Sequence, residues 1–136
     1  MEMNARAICF TCLITIGLAM LPSCEMLSNI FCDKKELLRL ASPDKKVEAI
    51  LVRIACGGAT TSYDFRLSIV PLGKEPKRSD TVFLAEKLEG ESIQWIAPKV
   101  LEIRYEKARI LNFRNFWYSK DVENFEYIVE VRERST

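Results

Sequence analysis

The sequence predicts a mainly β protein, a small antiparallel sheet, curled or sandwich-like, of about six or seven strands, behind an N-terminal signal helix and a short helical tether. Three observations carry this reading. Ser42 to Leu72 reads as a turn, a long strand, a glycine hairpin and a second long strand. Short alternating runs separated by turn residues then recur as far as Arg132. Residues 1–23, with a charged start and an apolar stretch, are set apart from both. The expected organisation is a signal peptide over residues 1–23, a tether over 24–41 and a β domain over 42–136.

Met1 to Arg6 carries Arg6, Ala7 to Leu21 is uncharged and apolar, and Pro22, Ser23 and Cys24 follow. That order is the pattern of an export signal, and about 15 apolar residues is short of the roughly 20 that a membrane span needs. Leu21-Pro22-Ser23-Cys24 is similar to the bacterial lipobox, although Pro22 departs from the usual small residue. The similarity implies lipidation at Cys24; an ordinary cleaved signal and an uncleaved anchor stand as alternatives.

In the tether, Asp33-Lys34-Lys35-Glu36-Leu37-Leu38-Arg39-Leu40 fits a short helix with Asp33 as N-cap and Glu36 at the third helical position, and it fits an extended segment too. Pro43 and Asp44 supply a turn. Val47 to Ala55 is an apolar run broken only by Glu48 and Arg53, largely apolar on both faces, as a central strand covered on two sides should be. Gly57 and Gly58 end it, because glycine takes positive φ without a Cβ clash. Tyr63, Phe65, Leu67 and Ile69 alternate with Asp64, Arg66 and Ser68, which predicts a strand with one face in water.

Pro71 to Asp80 is a charged Gly/Pro loop; its Lys74, Lys77 and Arg78 suit a phosphate or anionic lipid contact or a solvated tip. Further strands are expected at Thr81 to Lys87, Ser92 to Ala97, Val100 to Glu106 and Arg109 to Phe113, with turns at Glu89-Gly90-Glu91 and Pro98. Phe125 to Arg132 sets Phe125, Tyr127, Val129 and Val131 against Glu126, Glu130 and Arg132 as the final strand.

The 136 residues are 49% hydrophobic with formal net charge +1, which suits a single compact domain plus a leader and offers no concentrated positive surface for nucleic acid. No histidine is present, so the side chain most used for proton transfer near neutral pH and for binding metals is missing. No metal site or cofactor is expected. Once a leader ending before Cys24 is removed, Cys32 and Cys56 are the remaining thiols beside it, and an even pair in an oxidising compartment favours a disulfide over two buried free cysteines.

Two resemblances attach to these residues. Cys32, Ser42-Pro43-Asp44-Lys45-Lys46 and Arg53-Ile54-Ala55-Cys56-Gly57-Gly58-Ala59-Thr60-Thr61 resemble a family of short, functionally uncharacterised bacterial exported proteins and lipoproteins with a C…SPDGK…RxxCGATT pattern. Ile93-Gln94-Trp95 and Leu101-Glu102-Ile103-Arg104-Tyr105 echo its later W and L-x-I-x-Y pattern; Lys45 stands where that family has glycine, and Gly58 is an extra glycine. The resemblance implies a small β domain and brings no activity. The Ser42-Pro43-Asp44 opening and Gln94 to Lys99 also resemble the start of a blade in exported β-propellers, which implies meandering strand units, since a propeller needs about four or more blades.

No catalytic residues are singled out. Ser42-x-x-Lys45 matches the serine–lysine pattern of penicillin-binding enzymes by letter only. Carboxylates at Asp44 and Glu48, at Glu89 and Glu91, and at Asp121, Glu123 and Glu126 are candidates for acid/base work or for holding a cation, and Gly57 to Thr61 for an anion nest. The strongest surface candidate is Phe113 to Lys120, FRNFWYSK. Aromatic and arginine side chains concentrate at binding hot spots, so Phe113, Arg114, Phe116, Trp117 and Tyr118 form the candidate binding set, with capping of the core as the competing role.

The expectation is therefore a non-enzymatic envelope lipoprotein, held to a membrane by its N-terminal lipid, facing the periplasm or the exterior and binding a protein or glycan partner. The alternatives are a secreted inhibitor or immunity-type protein against an envelope enzyme, and a small hydrolase using carboxylates.

Overall fold

The computed structural model describes residues 32–57 and 62–136. The expected signal peptide, the lipobox with Cys24, the first part of the tether and the hairpin tip Gly58 to Thr61 lie outside the described residues.

Strands are β1 (Cys32–Ala41), β2 (Val47–Cys56), β3 (Asp64–Pro71), β4 (Thr81–Glu89), β5 (Ser92–Ala97), β6 (Val100–Tyr105), β7 (Lys107–Phe113), β8 (Phe116–Trp117) and β9 (Val129–Ser135). Among the described residues they make a five-stranded sheet in the order β1-β2-β3-β4-β7 and a four-stranded sheet in the order β5-β6-β9-β8, not closed into a barrel. Inward residues of both sheets, including Leu51, Leu67, Ile69, Phe83, Leu101, Ile103, Trp117 and Val129, form one apolar cluster. The mainly β, sandwich-like expectation is what is observed. All strand pairs are antiparallel except β6 with β9, which run parallel.

Asp33 to Leu40 is a strand, so the helical tether is corrected. Pairing with β2 along its length satisfies the backbone groups of β1 on that side, and Cys32 lies opposite Cys56, to which it is disulfide-bonded. A register shift between Glu36 and Leu38 leaves Leu37 unpaired and exposed, whereas Leu38 and Leu40 pack against the core. A capping pattern without an apolar helical face to bury loses to a ready partner strand.

β2 is buried on both faces from Val47 to Leu51, as a central strand should be. β3 departs from its expected wet face: Ser68 and Val70 are buried along with Leu67 and Ile69. The loop after β3 reaches back to this side of the sheet. The Gly73 N–H donates to Glu48 Oε1 at 3.1 Å, and Pro76 and Lys77 border a small cavity with Val52 and Ser68. Glu48 is 5% exposed and also receives Arg39 Nη1 at 2.5 Å, so its charge is paired and hydrogen-bonded.

The final strand begins at Val129, not Phe125. Tyr127, Val129 and Val131 are buried as their alternation predicts, but Glu123, Asn124 and Phe125 take φ values of 50°, 49° and 72° in a tight turn, and Phe125 faces outward. Gly90, at φ 65°, turns β4 into β5 where an added Cβ would lie 2.6 Å from the Glu106 side chain, so any other residue would be strained and would displace Glu106.

Candidate functional site

The short strand β8 was not predicted, and it decides which aromatic residues are available. Successive side chains of a strand point to opposite faces, so Trp117 and its neighbours Phe116 and Tyr118 part company. Trp117 pairs with Val129, is 1% exposed, and its indole N–H donates to Asp80 Oδ1 at 3.4 Å. Phe113, at the end of β7, is half-buried and packs on the core. Both therefore take the core-capping role and leave the candidate binding set.

Phe116 and Tyr118 are 44% and 45% exposed, and their rings stack at 5.8 Å between centroids and 6° between planes. Phe125, 49% exposed, meets Tyr118 edge-on at 5.8 Å and 75°. The Arg114 guanidinium lies 6.0 Å from the Phe116 ring centroid, and its Nη1 donates to the Ser79 carbonyl at 2.8 Å. An exposed row, Arg114–Phe116–Tyr118–Phe125, results. Each of these ring and cation contacts is a modest attraction, and together they line the four side chains up along one surface.

Period-2 alternation places Phe125 among the inward strand residues, and that hides it as a site residue. The signal was present in Asp121-Val122-Glu123-Asn124: asparagine tolerates left-handed backbone, and a turn there detaches Phe125 from the strand.

Next to the row is a polar cleft of about 380 Å³ lined among others by Lys74, Lys77, Ser79, Asp80, Ser119 and Asp121. The loop lysines singled out in the sequence thus stand among carboxylates. Ser119 builds the turn that joins cleft to row: its Oγ accepts from the Asp121 N–H at 3.2 Å and its carbonyl accepts from the Phe125 N–H at 3.1 Å.

Of the carboxylate candidates, Asp44, Glu48 and Glu123 are committed elsewhere, and Asp121 lines the cleft. Asp44 accepts from Ser42 Oγ at 2.7 Å and from the Tyr127 hydroxyl at 2.7 Å, Glu48 is held by Arg39 and Gly73, and Glu123 pairs with Lys46. Burial would raise the Asp44 pKa, but its hydrogen bonds outweigh burial and hold it below 3.8. At Glu102 the Arg104 hydrogen bond outweighs burial in the same direction. A general acid requires the opposite shift. Ser42 Oγ is turned to Asp44, within its own turn.

No family model matches the chain, and no curated protein or solved structure matches it either.

Proposed function

We propose that the protein is an exported, lipid-tethered binding module, acylated at Cys24, which presents its β domain on the outer side of a membrane and holds a protein or glycan partner of the envelope through the Arg114–Phe116–Tyr118–Phe125 row. The observation that carries the binding role is the stacked, half-exposed Phe116–Tyr118 pair extended by Phe125. Rings of this size left in water beside an arginine are the composition of a contact surface, and stacking fixes their orientation in advance of binding. Export is supported by the leader pattern and by the Cys32–Cys56 disulfide, a bond that persists in oxidising compartments.

Two measurements test this. The intact mass of protein recovered from the producing cell should correspond to a chain starting at acylated Cys24; a full-length unmodified chain would end the tether proposal. Capture of envelope material by the purified protein should fall on Phe116→Ala or Tyr118→Ala while the circular dichroism spectrum is unchanged.

A further inference from the structure

We infer that the ligand of this surface is a neutral glycan, whose sugar faces stack along Phe116, Tyr118 and Phe125 and one of whose residues enters the cleft bordered by Lys77, Ser79, Asp80, Ser119 and Asp121. The inference rests on the binding role proposed above and names its partner.

A sugar hydroxyl is both donor and acceptor, so a polyhydroxylated ligand is best met by donors and acceptors in alternation. The lining supplies ammonium donors from Lys74 and Lys77, hydroxyls from Ser79 and Ser119, and carboxylate acceptors from Glu75, Asp80 and Asp121. A phosphate or an acidic sugar would meet those carboxylates, and a cationic ligand would meet the lysines. A neutral polyol is repelled by neither and can use both. The volume, about 380 Å³, lies at the lower end of small-molecule sites and suits one ring with its substituents rather than a protein segment.

Asp80 is held ready for this. Its Oδ2 accepts from the Lys77 N–H at 2.9 Å and its Oδ1 from the buried Trp117 indole at 3.4 Å, which leaves lone pairs on a carboxylate whose position is already set.

Row and cleft are joined at two points. Arg114 spans from the Ser79 carbonyl to the face of Phe116. At the other point Tyr118 precedes Ser119 in the chain and touches Phe125, whose N–H is bonded to the Ser119 carbonyl. Aromatic rings supply the apolar contact for the C–H faces of a pyranose, and the cleft supplies direction and specificity. Neither part alone selects a sugar.

The test is titration calorimetry of the protein as recovered from the producing cell with cellohexaose, chitohexaose and, as an acidic comparison, a galacturonic acid hexamer. The expected result is binding of at least one neutral hexasaccharide more tightly than the acidic one, weakened at least tenfold by Tyr118→Ala and by Asp121→Asn, with intrinsic tryptophan fluorescence unchanged in both variants. Absence of binding to both neutral sugars at millimolar concentration, or tighter binding of the acidic hexamer, overturns the glycan assignment. If a captured envelope protein is nevertheless lost on Tyr118→Ala, the binding role survives with a protein partner. Sugar binding indifferent to both Phe116→Ala and Tyr118→Ala removes the aromatic row and both proposals with it. Sensitivity to Tyr118→Ala without sensitivity to Asp121→Asn removes the cleft from the site.

Discussion

The Tyr127 hydroxyl, which shares its proton between Asp44 Oδ2 at 2.7 Å and the Pro98 carbonyl at 3.0 Å, ties the β1–β2 turn of one sheet to the β5–β6 turn and the entrance of β9 in the other. Asp44 is itself braced by Ser42, and the ammonium groups of Lys99 and Lys46 lie 4.7 and 5.5 Å from the Tyr127 ring centroid. Tyr127→Phe keeps the buried ring and removes the hydroxyl. It should lower stability by about 1–2 kcal/mol, read as a lower urea midpoint at unchanged slope.

The same pair, together with Glu102 and Tyr105, sets limits on both sides of the pH scale. Asp44 and Glu102 have folded pKa values below their ordinary 3.8 and 4.5, so the stability they contribute is present above those values and is lost as pH falls through the folded ones. Tyr127 is raised by burial and by its bond to Asp44. Tyr105 is raised to about 12, first by its hydrogen bond to Glu133 and then by burial. Their contribution is complete below 10.0 and disappears as pH climbs past it toward the folded values. Urea midpoints measured across pH should drop on both flanks, with Asp44→Asn flattening the acid limb and Tyr105→Phe the alkaline one.

Cys32 and Cys56 are opposed residues of β1 and β2, 24 apart in sequence. Reduction should cost roughly 3 kcal/mol on chain-entropy grounds. The loss should be local first: hydrogen exchange in reductant should rise across Asp33 to Glu36, beyond the register shift, while Leu38 and Leu40, which pack on the core, stay protected.

Lys45 occupies φ 56° in the turn after β1. A side chain in that region is strained, and glycine is not. Lys45→Gly should therefore raise stability by about 0.5–1 kcal/mol, since strain relief exceeds the added freedom of the unfolded chain; an unchanged or lower thermal midpoint would contradict this.

Trp117 and Phe116 are neighbours with opposite roles. Trp117→Ala should destabilise the fold by roughly 3–5 kcal/mol through the cavity it leaves. Phe116→Ala and Tyr118→Ala should each change stability by less than about 1 kcal/mol. Thermal unfolding of the variants separates the two, and only the latter substitutions are valid probes of binding.

Strands β2, β4, β5 and β6 were legible within a residue or two because each carries its own alternation and ends at a turn residue such as Gly90 or Pro98. β1 was not, since Asp33 to Leu40 satisfies a helical capping pattern locally and its pairing partner lies beyond a turn. The candidate site was half legible. Phe116 and Tyr118 stand in the same aromatic run as Phe113 and Trp117, and only the position of β8 against β9 shows which of them face the core.

Alternation and turn chemistry, both properties of a few adjacent residues, determined that this chain is β-rich and which residues of each strand could face a core. Tertiary pairing decided the rest. It chose strand over helix for β1, set β9 parallel to β6, buried Ser68 and Val70 under a returning loop, and put Phe125 beside Tyr118. Those outcomes depend on contacts between distant segments, whose free energy no single segment carries.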